Sequence, residues 1–353
     1  GKFLNQYDAK DTGDATPGWD SWNATARRIY NYNDFAVNHN GSLRSYHAYQ
    51  TDFFGALGRQ KIRDVAGRSQ PFFLWQSFVA PHTTCCWTPP VPAKRHATMF
   101  PSALPPSLSD PSYNEADVAD KPSFVRKLSP LSSRETKRIV RLHRERIRSL
   151  QAVDEQIGRT VRTLARLGEL DNTLIIFTSD NGFLLGEHRY SGKVLAYEPA
   201  VRVPLLMRGP NIPAGAVSDE VATTVDIAPT IAAAAGATPT ITVDGQNLLP
   251  VAAGSAGTRG NVLIQAGPRT DADEPFGWFY RGVRTFRYTY AYYPRTGERE
   301  LYDRKLDPHQ LESVADDQRY REVESALHQR MLQLKDCKGT QCQASFPPLP
   351  APG

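Results

Sequence analysis

The feature that most constrains this chain is an apolar run that stops abruptly. Leu174-Ile-Ile-Phe177 is β-branched and aromatic, the composition of a strand buried on both faces of a sheet. It breaks at once into Thr178-Ser179-Asp180-Asn181-Gly182, where short oxygen-bearing side chains meet a glycine. In parallel α/β sheets the loops at the carboxyl ends of strands converge on one crevice, and ligands bind there. The acid and the amide at Asp180 and Asn181 offer hard oxygen ligands for a divalent cation. The same residues also read as a plain Asp-Asn-Gly turn, because such tripeptides favour turns.

A second apolar run, Pro71–Val79, reads as another strand and leads straight into Ala80-Pro81-His82-Thr83-Thr84, a loop that carries a histidine. Between the two runs, Ile139, Leu142, Ile147, Leu150, Val153, Ile157, Val161 and Leu164 recur at helical spacing, predicting one long helix over Ser132–Leu167 that Gly168 ends. Strand, helix and strand in that order predict a right-handed parallel crossover. A shorter amphipathic helix is expected over Tyr49–Val65. The proline- and serine-rich stretch Thr88–Pro130 is expected to be a long loop. Val203–Met207 reads as a further strand.

After Asn261 the pattern changes. Val262–Gln265, Trp278–Arg284, Arg287–Tyr293 and Glu300–Asp303 alternate as antiparallel strands do, and a helix follows around Tyr320–Lys335. The expected fold class is α/β, a mostly parallel sheet flanked by helices. Residues 1–258 would form the main domain, 259–336 a smaller antiparallel α+β subdomain, and 337–353 a tail.

Composition bounds the function. A formal charge of +5 with pI near 9.0 helps hold anionic substrates but falls short of a nucleic-acid signature. The Arg and Lys residues from Arg134 to Arg166 fall on the predicted helix and read as its solvated face. No apolar run approaches the ~20 residues needed to span a bilayer. Cys337 and Cys342 bracket a short loop that suits a local disulfide, whereas the pairing of Cys85 and Cys86 stays open. An even cysteine count favours an oxidising, secreted or extracytoplasmic setting.

The motifs together carry a resemblance. Ser179–His188, Gly192-Lys193, Tyr197-Glu198, Val201–Leu206 and Arg208-Gly-Pro210 resemble the sulfatases of the alkaline phosphatase superfamily, and Glu300–Pro308 looks like that family's C-terminal signature. Gly1–Tyr7 and Pro17–Asp20 resemble the N-acetylglucosamine-6-sulfatase branch in particular. The resemblance implies an alkaline-phosphatase-like fold, hydrolysis of sulfate esters such as aryl sulfates or 6-O-sulfated hexosamines, a bound calcium ion and a formylglycine nucleophile. Asp180 and Asn181 match two metal ligands. Lys2, His82 and Lys193 match catalytic groups that contact the sulfate. Asn5 stands where this branch carries asparagine and falls on the substrate side, and His188 is expected to line the pocket. Arg202 reads as a structural ion-pair partner of Glu198 or of an acidic neighbour. The charge that develops on sulfuryl oxygens explains why fixed cations would be wanted there.

One departure bears on mechanism. The family makes formylglycine from the Cys or Ser that opens a C/S-x-P/A-x-R motif, and no cysteine or serine in this sequence opens one. The family's paired aspartates, which complete the metal site, precede that motif. The chain is therefore expected to resemble the portion C-terminal to the nucleophile, with the first strands of the sheet missing. Two other readings stay open: a phosphodiesterase or phosphonate hydrolase of the same superfamily, and a non-catalytic or glycan-binding remnant.

Overall fold

The structure is a computed structural model that describes residues 1–4, 7, 16–84, 88–255, 257, 259–267 and 278–353. Its contacts divide the chain into two units, Gly1–Pro105 with Ser133–Asn172, and Pro106–Ser132 with Thr173–Gly353.

In the first unit, Asn23–Arg27, Phe35–His39 and Ser42–Tyr46 form a three-stranded antiparallel meander. Its last hairpin turns at Asn40-Gly41, both at positive φ (47° and 93°), the pairing that a two-residue loop needs to match strand twist. Phe35 and Val37 point into a core completed by Phe54 of the helix Gln50–Val65. That helix packs along the long helix Ser133–Arg166, where Gln156 accepts from Arg59 at 2.7 Å and donates to Asp52 at 2.7 Å. Both helices lie within a residue or two of the spans that hydrophobic periodicity predicts.

In the second unit, Asn261–Ala266, Tyr280–Thr285, Tyr288–Tyr292 and Arg299–Asp303 form a four-stranded antiparallel sheet whose spatial order follows the chain. The helix Arg321–Leu334 covers one face with Val323, Leu327, Met331 and Leu334, packed against Val283, Tyr290 and Leu301. Cys337 and Cys342 form the expected local disulfide. Cys85, Cys86 and their pairing lie outside the described residues. No helix among the described residues is long and apolar enough to cross a membrane.

The expected mostly parallel sheet is overturned. Every strand ladder among the described residues is antiparallel, including the one at the opening motif, where Ile175–Thr178 pairs with Leu205–Arg208 and Ile175 faces Arg208. The predicted crossover has no first strand, because Pro71–Val79 joins no ladder. Its main chain is instead tied to the chain start, with the Lys2 amide donating to the Ser77 carbonyl at 3.3 Å and Ser77 Oγ donating to the Lys2 carbonyl. Neither apolar run is buried on both faces: Phe73 is 56% exposed, Trp75 49% and Phe177 37%. An apolar composition reports attraction to a core but not the direction of the neighbouring strand, and that is where the expectation failed. The expectation that amino-terminal strands are missing is corrected too, since the meander of Asn23–Tyr46 stands there.

Candidate functional site

The first unit holds Lys2 and His82 around one tyrosine. Lys2 is positioned by its main chain, which bonds to Ser77 while Thr25 donates to the Gly1 carbonyl at 2.9 Å. Its Nζ stands 5.5 Å from the centre of the Tyr30 ring, within cation–π range. The other partner of Tyr30 is His82, whose imidazole stacks on it at 4.5 Å and 21°.

The His82 loop is held from both sides. Tyr32 Oη donates to the His82 carbonyl at 2.7 Å and Arg146 Nη1 donates to the Pro81 carbonyl at 3.3 Å. Burial raises the Tyr32 phenol well above its ordinary value and lowers the Arg146 guanidinium, so both groups are desolvated supports. His82 Nδ1 lies 2.7 Å from the Thr83 carbonyl, an acceptor, so Nδ1 carries the proton and Nε2 is the basic nitrogen of the neutral ring. Asn5 lies outside the described residues.

The second unit holds Asp180, Asn181 and Lys193. Beyond Thr178 the loop closes on itself: the Asn181 amide donates to Asp180 Oδ1 at 3.0 Å, and Ser179 Oγ donates to the Asn181 carbonyl at 3.0 Å. Lys193 Nζ donates to Asn181 Oδ1 at 3.1 Å, so the second lysine of the sequence reading meets the second predicted ligand. The Asp180 side is exposed. Gly182 is required next, because a Cβ there would lie 2.0 Å from the Pro199 carbonyl oxygen. Its amide donates to the Ala200 carbonyl at 2.9 Å, and that of Phe183 to Pro199 at 2.7 Å.

His188 is placed differently. It is 1% exposed, with Nδ1 2.7 Å from Glu115 Oε2 and its ring stacked on Tyr197 at 4.0 Å. Glu198 accepts two bonds of 2.7 and 2.9 Å from Arg284, Arg304 stands 3.6 Å away, and Arg202 acts on it through its charge. Burial would raise the Glu198 carboxyl, but the Arg284 bonds and the surrounding arginines outweigh it and hold the group below its usual value.

The donor chemistry at Asp180 and Asn181 suits a hard cation, a carboxylate and a carboxamide oxygen side by side. Calcium takes six to eight oxygens, so these two residues would supply only part of such a shell. Among the described residues no three His, Cys, Asp or Glu side chains group as a metal site. Sequence reasoning missed Tyr30, Arg146 and Arg284, whose partners lie far away along the chain and leave no local pattern.

Comparison with known proteins adds the family. The sulfatase family model matches residues 1–237, and the model for the C-terminal part of N-sulphoglucosamine sulphohydrolase matches 186–337. An arylsulfatase of Volvox carteri is 32% identical over 97% of this chain and 60% of its own length. The N-acetylglucosamine-6-sulfatase of Bos taurus is 28% identical over 97% of this chain and 66% of its own length. The likeness is thus broad among sulfatases and not particular to the glucosamine-6-sulfatase branch. In fold, the chain resembles a protein solved in complex with its substrate D-glucosamine-2-N,6-O-disulfate, with a TM-score of 0.75 at 23% identity over 94% of this chain and 78% of that one. The chain belongs to the sulfatase family and shares its alkaline-phosphatase-like fold.

Proposed function

We propose that this protein hydrolyses sulfate esters carried on a sugar, with a 6-O-sulfated hexosamine of a glycan as substrate. The observation that carries the reading is the contact of Lys193 Nζ with Asn181 Oδ1 beside the exposed Asp180 carboxylate, in a chain matched along residues 1–237 by the sulfatase family. The solved likeness that binds a disulfated glucosamine supports the choice of sugar.

Each group has a task that its chemistry fits. Lys2 and Lys193 are each assigned to sulfuryl oxygens by their match to the family's motifs, since a fixed cation opposes the negative charge that grows on such oxygens. His82, with Nδ1–H fixed on the Thr83 carbonyl, presents Nε2 for proton work, and as the imidazolium it protonates the departing alcohol oxygen. Asp180 and Asn181 would hold calcium, which supplies further positive charge to the ester. Asn5 is assigned to the substrate side. His188, buried against Glu115, is assigned to support of the Tyr197 ring on that side. The nucleophile is proposed to be a formylglycine, and none of these 353 residues is assigned to it because no motif for it occurs among them. A secreted or extracytoplasmic setting accords with the Cys337–Cys342 disulfide.

The test is sulfate release by these residues within a polypeptide that carries a C/S-x-P/A-x-R motif, with formylglycine confirmed by mass spectrometry and calcium supplied. Aryl sulfate and 6-sulfated glucosamine should both be cleaved, and a phosphonate monoester more slowly. No sulfate from either ester would remove the reading, and faster cleavage of the phosphonate would move it to the phosphonate hydrolases.

A further inference from the structure

The loop at Asp180 rests on a turn, and that turn is gripped from the C-terminal sheet. Gly182 and Phe183 donate their amides to the carbonyls of Ala200 and Pro199, so the turn Tyr197–Ala200 is the surface on which the loop lies. Tyr197, fully buried, donates its hydroxyl to Glu300 Oε1 at 2.7 Å. Glu300 is itself 1% exposed and accepts two further tyrosine hydroxyls, Tyr302 at 2.6 Å on the same oxygen and Tyr293 at 2.5 Å on the other. The next residue of the turn, Glu198, accepts the two-pronged bond from Arg284 and donates its amide to Gln310 Oε1 at 2.7 Å.

Glu300 and Arg284 sit on strands of the four-stranded sheet, Arg299–Asp303 and Tyr280–Thr285. A carboxylate that satisfies three buried hydroxyls at once has little freedom to move, since shifting it would strand several donors in a low-dielectric interior. The chain of contacts from Glu300 to Tyr197, to the Pro199 and Ala200 carbonyls, and to Gly182 is unbroken.

We propose that Glu300, with Tyr197 and the Glu198–Arg284 pair, is a positioning residue that fixes the Asp180–Asn181 loop through the Tyr197–Ala200 turn. The C-terminal sheet thereby sets the geometry of the candidate cation ligands without touching substrate. The site role of the loop rests on the sulfatase reading above, but the mechanical coupling does not.

Amide hydrogen exchange on the whole chain tests it. Glu300→Gln keeps an acceptor for Tyr197 and Tyr302, and Glu300→Leu removes it. Exchange at Gly182 and Phe183 should stay near wild type in Glu300→Gln and rise about tenfold in Glu300→Leu, with the amides of the helix Arg321–Leu334 changing less. If Glu300→Leu fails to fold, Tyr197→Phe deletes only the hydroxyl and should accelerate the same two amides severalfold. Equal exchange in Gln and Leu variants, or acceleration spread evenly over the Arg321–Leu334 helix, would overturn the proposal, as would unchanged exchange in Tyr197→Phe. Sulfate release measured alongside keeps the two readings apart: a wild-type protein that cleaves no ester but shows the exchange pattern refutes the function and not the coupling.

Discussion

The two clusters that carry the candidate chemistry are built on opposite plans. Around Tyr30, Lys2 and His82 are placed by rings and by main-chain bonds to neighbouring elements, with the His82 carbonyl tied to Tyr32. Around Asn181, the loop makes its own short-range bonds, but its docking turn is held by Glu300 and Arg284 from a sheet about a hundred residues further along, at separations of 103 and 86. In the first cluster the distant partners, Tyr32 and Arg146, bond the His82 loop directly. In the second, Glu300 and Arg284 reach Asp180 only through the turn Tyr197–Ala200.

That difference can be broken experimentally. The largest effect should come from His82→Ala, which removes the proposed proton donor and should lower kcat by about 10³-fold while leaving thermal stability close to wild type. Steady-state kinetics with an aryl sulfate that has a good leaving group should recover part of the loss, because such an alcohol needs less protonation. Lys193→Ala comes next, with kcat/KM down about 10²-fold from the loss of one fixed cation. It also frees Asn181 Oδ1, so the comparison sharpens if Lys193→Arg, which keeps charge but not shape, recovers only part of the activity.

Smaller in activity but visible in stability, Arg284→Ala should cost about 2 kcal/mol in chemical denaturation, the scale of a two-pronged charged hydrogen bond. Its pH dependence has a definite sign. The Glu198 carboxyl lies below its usual value of 4.5 in the folded chain, so the pair stabilises fully above that value and the contribution is lost as pH falls through the folded value. Wild type should therefore lose more stability on acidification than Arg284→Ala, in which Arg304 and Arg202 still hold the carboxyl down in part. Parallel acid profiles for the two proteins would show that the pair contributes nothing.

How much of this was legible beforehand follows from the range of each interaction. The helices Gln50–Val65 and Ser133–Arg166 repeat every few residues, and the strands from Asn261 to Asp303 alternate, so local pattern reveals them. The strands Ile175–Thr178 and Leu205–Arg208 were expected close by, at Leu174–Phe177 and Val203–Met207, but in a sheet of the wrong sense, because composition carries no strand direction. The Asn40-Gly41 hairpin had a readable signal in its dipeptide, which the sequence reading passed over. Lys2 has no local mark, and only likeness to a family singled it out, whereas His82 was marked by its loop at the end of an apolar run. Tyr30 and Arg284 had neither mark nor motif.

The first question was whether Asp180 belongs to a turn or to a site, and one substitution addresses it directly. Asp180→Asn keeps an oxygen to accept the Asn181 amide, so the turn should persist, and removes the negative charge. The measurement is kcat/KM for sulfate release by this variant against wild type, both within a polypeptide that carries the C/S-x-P/A-x-R motif with formylglycine confirmed, and with thermal melting as the control. A fall of about 10²-fold with an unchanged melting temperature is the expected result for a lost cation ligand. Unchanged kcat/KM would contradict the account and leave Asp180-Asn181-Gly182 as a turn.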